Sequence, residues 1–282
     1  MKSCEEFVSE SSDYFVYSPS VTAQNMFFYP LYTGHFIYDR GYSLHRESYD
    51  SYLLLYIQSG SLILDYEGRT EEINEGSFAL IDCYNPHSYR SKDRCECIWC
   101  HFDGLTAKSY YSSIVSHLGN VFSMIDPYPV INKMKLIYNL FKTGSIIKEP
   151  LISKYITDIL TLFLLYTPTK VNSIDYIEMA EKTISYINEH FAEKLTVEML
   201  ARQVGLSQYH FIRTFKKETG HTPHEYIINT RINSAKYLLK NSKLSIKDIC
   251  YNTGFSSESV FCSAFKKRQG STPTEYRTLV ST

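Results

Sequence analysis

Tyr209, Ile212, Arg213 and Lys216 recur at i, i+3, i+4 and i+7, the spacing that sets side chains on one face of a helix. Their chemistry suits the edge of a nucleic-acid base. A guanidinium at Arg213 can reach O6 and N7 of guanine with both arms, or it can hold a phosphate. Gln208 can pair with adenine, and Tyr209 or Ile212 can pack on a thymine methyl. Fifty residues later the same face returns as Ser259, Cys262, Ser263 and Lys266, preceded by Ser257 and Glu258. Small hydroxyls make less selective contacts, and a carboxylate can only accept, for example from cytosine N4. Lys217, Lys267 and Arg268 would lie along phosphates or form a solvated face.

These faces need helices, and an internal repeat supplies them. Phe215-Lys-Lys-Glu-Thr-Gly-His-Thr-Pro-His-Glu-Tyr226 matches Phe265-Lys-Lys-Arg-Gln-Gly-Ser-Thr-Pro-Thr-Glu-Tyr276 at an offset of 50, and Leu195–Gly205 matches Leu244–Gly254 at 49. One residue is therefore added between Gly254 and Phe265. Thr196 and Ser245 are N-caps for short amphipathic helices whose apolar stripes are Val197, Leu200, Ala201, Val204 and Ile246, Ile249, Cys250. Gly205 and Gly254 end them. Ser207 and Ser256 cap second helices whose Phe211 and Phe215, or Phe261 and Phe265, face a core. Thr222-Pro223 and Thr272-Pro273 open the helices that follow. Two copies are too few for a solenoid, so helix–turn–helix units at about 195–219 and 244–269 are expected.

A second set of reactive residues lies upstream. Cys95-x-Cys97-x-x-Cys100-His101 has metal-like spacing. Strand alternation, however, would send Cys95, Cys97, Trp99 and His101 to one face and Cys100 to the other. With no second Cys pair to close a tetrahedral site, buried thiols are expected and no metal or cofactor is assigned. Residues 27–103 read as short strands punctuated by Ser59-Gly60, Glu67-Gly68 and Asn74-Glu75-Gly76, a sandwich or barrel pattern. Helices follow at about 110–118, 131–141 and 151–166, and 167–173 has linker composition.

Composition agrees with two domains in 282 residues. The net charge of −1 conceals a split. Residues 1–175 hold 14 basic and 20 acidic residues, a net −6, whereas 176–282 hold 15 and 10, a net +5. A basic module beside an acidic one suggests that the second half meets an anion. Eighteen of the 25 tyrosines precede residue 176. No apolar run is long enough to span a membrane, and the acidic start MKSCEEFVSE lacks a signal-peptide core, so a cytoplasmic protein is expected.

Residues 176–280 resemble the DNA-binding domain of the AraC/XylS family of bacterial transcriptional regulators. The resemblance rests on Ile246-Lys-Asp-Ile-Cys, Gly254-Phe255-Ser256, the Phe-Lys-Lys…Gly-x-Thr-Pro-x-Glu-Tyr run of both repeats, and Tyr276-Arg277. It implies seven helices, two helix–turn–helix units joined by a connector over Thr222–Lys240, and base contacts at Tyr209 and Arg213. Many members carry arginine where this chain has Ser263. The DNA-binding candidates are thus Ser207, Gln208, Tyr209, Ile212, Arg213, Lys216 and Lys217, then Ser256, Ser257, Glu258, Ser259, Ser263, Lys266 and Lys267, with the first unit dominating specificity.

The pattern Tyr-x-Leu-x-Tyr…Ser-Gly…Glu-Gly-x-Phe-x-Leu-Ile…Pro-His-x-Tyr is similar to the cupin-type sensor of the same family. That likeness implies an α+β multidomain chain. Residues 1–170 would be a cupin-like β-barrel with flanking helices for effector binding and dimerisation, and 176–282 an all-α DNA-binding domain. Its sugar-binding positions correspond to Tyr89 and Trp99, with His45 or Arg46 near its arginine, although the two rings equally suit plain core. Cys97 stands where a polar pocket residue is usual. His87 is either a ligand contact or a turn histidine. The implied protein is a homodimeric, ligand-responsive activator of carbohydrate uptake or breakdown genes, acting on double-stranded promoter DNA and in reach of RNA polymerase. A cupin-fold enzyme fused to a DNA-binding module and a stress regulator that binds no sugar are the alternatives.

Overall fold

The computed structural model describes residues 2–3, 5–166 and 176–280. The stretch 167–173, expected to be a linker, lies outside them. They divide into two compact units, up to residue 169 and from residue 170 onward.

The first unit contains β1 (Asp13–Val16), α1 (Val21–Met26), β2 (Tyr29–Tyr38), β3 (Ser43–Arg46), β4 (Tyr52–Ser59), β5 (Ser61–Tyr66), β6 (Arg69–Asn74), β7 (Ser77–Asp82), β8 (His87–Arg90), β9 (Cys95–Asp103), α2 (Ala107–Leu118), β10 (Val121–Ser123), α3 (Tyr128–Lys142) and α4 (Glu149–Leu165). The strands pair antiparallel in two sheets, ordered β1-β2-β9-β4-β7-β10 and β3-β8-β5-β6.

Two cores share the larger sheet. Leu53, Leu55, Ile57, Cys97 and Trp99 face the smaller sheet, where Leu62, Leu64 and Tyr89 meet them. Tyr52, Leu54, Ile98, Cys100 and Phe102 face the helices, against Ile114, Met134, Ile156 and Phe163. Both faces of β4 and β9 are covered, which is why Tyr52–Ile57 is nearly continuous in apolar residues instead of alternating. The two outermost strands, β1 and β10, had no distinct sequence signal; they are four and three residues long.

The second unit is helical: α5 (Tyr176–His190), α6 (Val197–Gln203), α7 (Gln208–Thr219), α8 (Pro223–Asn241), α9 (Ile246–Asn252), α10 (Glu258–Gln269) and α11 (Pro273–Val280). It also has two cores. Leu200, Ala201, Phe211, Phe215 and Ile227 build the first, and Ile232, Leu239, Ile249, Phe255, Phe261 and Phe265 the second. The long α8 passes from one to the other.

Thr196, Ser207, Thr222 and Ser245 cap their helices as expected. The cap of α10 is a correction: it is Ser257, whose hydroxyl accepts the Val260 N–H at 3.4 Å, not Ser256. The residue added in the second repeat falls in the turn, so Ser256 is an exposed turn residue and Ser257 takes the place of Ser207. Among the described residues no helix is long and apolar enough to cross a membrane.

Candidate nucleic-acid interface and sensor cavity

In α7, Phe211 and Phe215 are fully buried, which turns the opposite face outward. Tyr209 is 77% exposed, and Ser207, Gln208, Arg213, Lys216 and Lys217 are exposed around it, with Ile212 half-buried. Lys217 lies 3.7 Å from Glu218. Fully buried Phe261 and Phe265 orient α10 in the same way, leaving Glu258, Ser259, Ser263, Lys266 and Lys267 exposed and Ser257 and Cys262 half-buried.

The two helix starts differ electrically. No acidic residue stands in the first turn of α7, so its unpaired N–H groups and dipole face outward with Gln208 and Tyr209. Glu258 occupies that turn in α10 and opposes an approaching phosphate. Both helices end in cations, Lys216 and Lys217 or Lys266, Lys267 and Arg268.

The first unit encloses a cavity of about 490 Å³, bordered by Tyr14, Tyr32, Phe36, Tyr38, Tyr42, Tyr49, Tyr89 and Trp99, with Glu5, Arg46 and His101. Ring packing shapes it. Phe36 meets Trp99 edge-on at 5.1 Å, and Tyr38 stacks on Tyr42 at 4.1 Å. Gly34 makes room for the indole, since a Cβ there would sit 2.7 Å from Trp99 Cε2. The Arg46 guanidinium lies 4.5 Å above the Tyr49 ring, and the Tyr42 hydroxyl donates to Glu5 at 2.8 Å.

Burial sets the ionisation of the wall. It pushes the Tyr38, Tyr42 and Tyr89 phenols well above their ordinary range, a rise that nearby Arg46 only partly offsets at Tyr42 and Tyr89. It pushes His101 down to about 3, helped by the positive charge of Arg46. The imidazole is therefore neutral, hydrogen-bonded through Nδ1 to Ser51 Oγ at 2.8 Å. The wall consists of rings bearing neutral polar tips, with one guanidinium and one carboxylate.

Of the five effector candidates, Arg46, Tyr89 and Trp99 border this cavity. His45 does not: its side chain is 64% exposed and meets Glu47 at 3.2 Å, because alternation along β3 turns it away from the face that carries Arg46. His87 does not either. It is 1% exposed, donates from Nδ1 to the Asn85 carbonyl at 2.9 Å, and stacks behind Tyr89 at 6.5 Å. Burial lowers its pKa. Both histidines instead border a separate, open depression with Tyr66 and Asn85.

Cys95 and Cys97 face the smaller sheet and Cys100 the helices, so these thiols do not converge, and burial raises the pKa of all three. Among the described residues no set of three or more His, Cys, Asp or Glu is arranged to hold a metal. Tyr14, Tyr32, Tyr42 and Tyr49 were not singled out from the sequence. The tyrosine surplus of the first half was their only signal.

The geometry has counterparts in known proteins. Residues 200–278 match the family described as a helix-turn-helix domain, and residues 30–143 match the AraC-like ligand binding domain. The chain is 26% identical over 266 residues to the Msm operon regulatory protein of Streptococcus mutans, covering 85% of this chain and 88% of that one. It is 25% identical over 261 residues to the MmsAB operon regulatory protein of Pseudomonas aeruginosa, with 88% and 82% covered. Over 100 residues it is 40% identical to the bifunctional transcriptional activator/DNA repair enzyme AdaA of Bacillus subtilis, which covers 36% of this chain and 47% of that protein.

Proposed function

We propose, from the premise that the chain belongs to the AraC family of transcriptional regulators, that it activates transcription in response to a small polyhydroxylated molecule held in its first unit. The cavity of about 490 Å³ carries this reading. Its aromatic walls suit the apolar face of a sugar ring, while phenol hydroxyls, neutral His101 and the Arg46 fork suit its hydroxyls or a carboxylate. Arg46, Tyr89 and Trp99 are the proposed contacts, joined by Tyr49 and His101.

In the second unit, α7 reads base edges through Gln208, Tyr209, Ile212 and Arg213, and α10 follows with smaller side chains that discriminate less. Lys216, Lys217, Lys266 and Lys267 hold phosphates. The protein works in the cytoplasm as a homodimer beside RNA polymerase on genes for carbohydrate uptake or breakdown. No catalytic step is assigned to it.

Two measurements test this. Footprinting on the promoters flanking the gene should show a protected site; no protection at any of them overturns the DNA-binding reading. A thermal-shift panel of neutral sugars, sugar acids and amino acids should raise the melting point with the first or second class. A response confined to amino acids, or to none of the three, refutes the sugar assignment.

A further inference from the structure

We infer that Arg231 is a positioning residue that fixes the separation of α7 and α10, and with it the spacing between two DNA subsites that the protein accepts. The inference rests on the reading that both helices meet one duplex.

The 19-residue α8 is the covalent link between the two helical cores, with Ile227 in one and Ile232 in the other. A single helix leaves two small cores able to rock about it unless something ties them laterally. Arg231 lies at the crossing point. Its Nε–H donates to the Phe191 carbonyl and its Nη2–H to the Glu193 carbonyl, each at 2.7 Å. Both acceptors belong to the loop between α5 and α6, in the first half. The same guanidinium lies 5.8 Å from the centre of the Phe255 ring, in the second half. Phe255 is 3% exposed and packs on Phe261 of α10 at 5.2 Å.

A second close approach runs beside it. Gly254 has φ +80, and a Cβ on it would sit 2.6 Å from the Ala192 carbonyl oxygen. The turn that precedes α10 is thus seated on the loop that precedes α6, and α6 packs with α7 through Leu200, Ala201 and Phe211. One planar cation holds two carbonyls of the first half and the ring that orients the recognition helix of the second. A lysine ammonium gathers its three donors at one point and lacks the planar fork that spans two carbonyls while one face lies toward a ring.

Each base pair inserted between two subsites moves one from the other by about 3.4 Å and turns it by about 35°. A rigid reader rejects that change; a loosened one follows it. The test uses the full-length protein and a duplex selected by it from a random-sequence pool, together with that duplex carrying one added base pair between the two protected segments. Binding is measured by anisotropy. The unaltered protein should bind the lengthened duplex at least about tenfold more weakly, the loss expected when one helix forfeits its base contacts. Arg231→Ala should bind the selected duplex about tenfold more weakly and show a spacing penalty below about threefold, since a charge-assisted pair of bonds is gone.

Arg231→Lys should fall between the two, and Gly254→Ala should also shrink the penalty. These two variants carry the test if Arg231→Ala does not fold. A general loss of stability lowers binding to both duplexes and leaves their ratio unchanged. An unchanged ratio in the variants therefore overturns the role of Arg231 while leaving DNA reading intact. An unaltered protein indifferent to the insertion overturns the reading of two helices on one duplex, and this inference with it.

Discussion

Lowering the pH from about 7.5 to about 5 is expected to cost the first unit about 2 kcal/mol of stability through His101 alone. The ring is 5% exposed, packed edge-on against Trp99 at 5.6 Å and Tyr49 at 5.0 Å. Burial, with repulsion from Arg46 and His87, holds its pKa near 3, against 6.5 for a free histidine. Below about pH 6.5 the unfolded chain takes up a proton that the folded chain refuses, so stability falls with pH until the folded ring itself protonates near 3. Between about 6.5 and 5 the path is about 1.5 pH units at about 1.4 kcal/mol each. At neutral pH and above, the penalty vanishes. Asp65, Glu149 and Asp158 have lowered pKa values, so their contributions are lost only in stronger acid.

The assay is urea unfolding followed by tryptophan fluorescence, because Trp99 is the chain's single tryptophan and touches the residue in question. His101→Asn keeps a hydrogen-bonding group toward Ser51 and removes the titration. It should lose about 2 kcal/mol less than the unaltered protein over the same interval. Other groups contribute to the pH dependence of both proteins, so the comparison isolates His101 together with its coupling to buried His87, whose pKa burial also lowers. Equal pH dependence in the two proteins would refute the reasoning, and so would an NMR titration that protonates His101 near pH 6.5 in the folded state. The same result decides what the cavity offers a ligand: a neutral imidazole can both donate and accept, an imidazolium only donates.

Other expectations concern single side chains. Ser257→Ala should cost the second unit about 1 kcal/mol in thermal or urea unfolding, the usual worth of an N-cap, whereas Ser256→Ala should change it by no more than a few tenths; the reverse order would restore Ser256 as the cap. Gly34→Ala should force the Trp99 indole aside, shifting its emission and abolishing any effector-induced melting shift, with unaltered fluorescence as the contrary result. Arg213→Ala should weaken specific DNA binding by about 1–3 kcal/mol and relax the preference at one base pair. Lys217→Ala should weaken binding on all sequences alike and lower the salt slope by about one. A sequence-independent loss for Arg213→Ala would make it a phosphate contact.

The outward faces of α7 and α10 were legible before folding. The i, i+4 phenylalanines of α7 and α10 bury one side and so expose the other, and a helix has only one way to do that. Strand alternation likewise separated Cys100 from Cys95 and Cys97. Helix starts were less legible: α2 begins at Ala107 and α3 at Tyr128, each three residues ahead of the expected 110 and 131, because their first turns lack a capping side-chain bond. The wall of the cavity was legible only in part. Tyr32 on β2 and Tyr49 in the loop before β4 meet at 5.4 Å only because β9 pairs with both β2 and β4, which no periodicity announces.

The sequence alone determined the repeat, the outward faces of α7 and α10 and the faces of β9. The faces follow from local periods of 3.6 or two residues, which side-chain geometry obeys wherever the element is placed. Tertiary structure decided the rest. It set Arg46 on the cavity and His45 off it, put His87 behind Tyr89, moved the cap of α10 to Ser257, and brought Arg231, Ala192 and Gly254 together. Those outcomes depend on register and on contacts between distant segments, and they are settled only when the cores close.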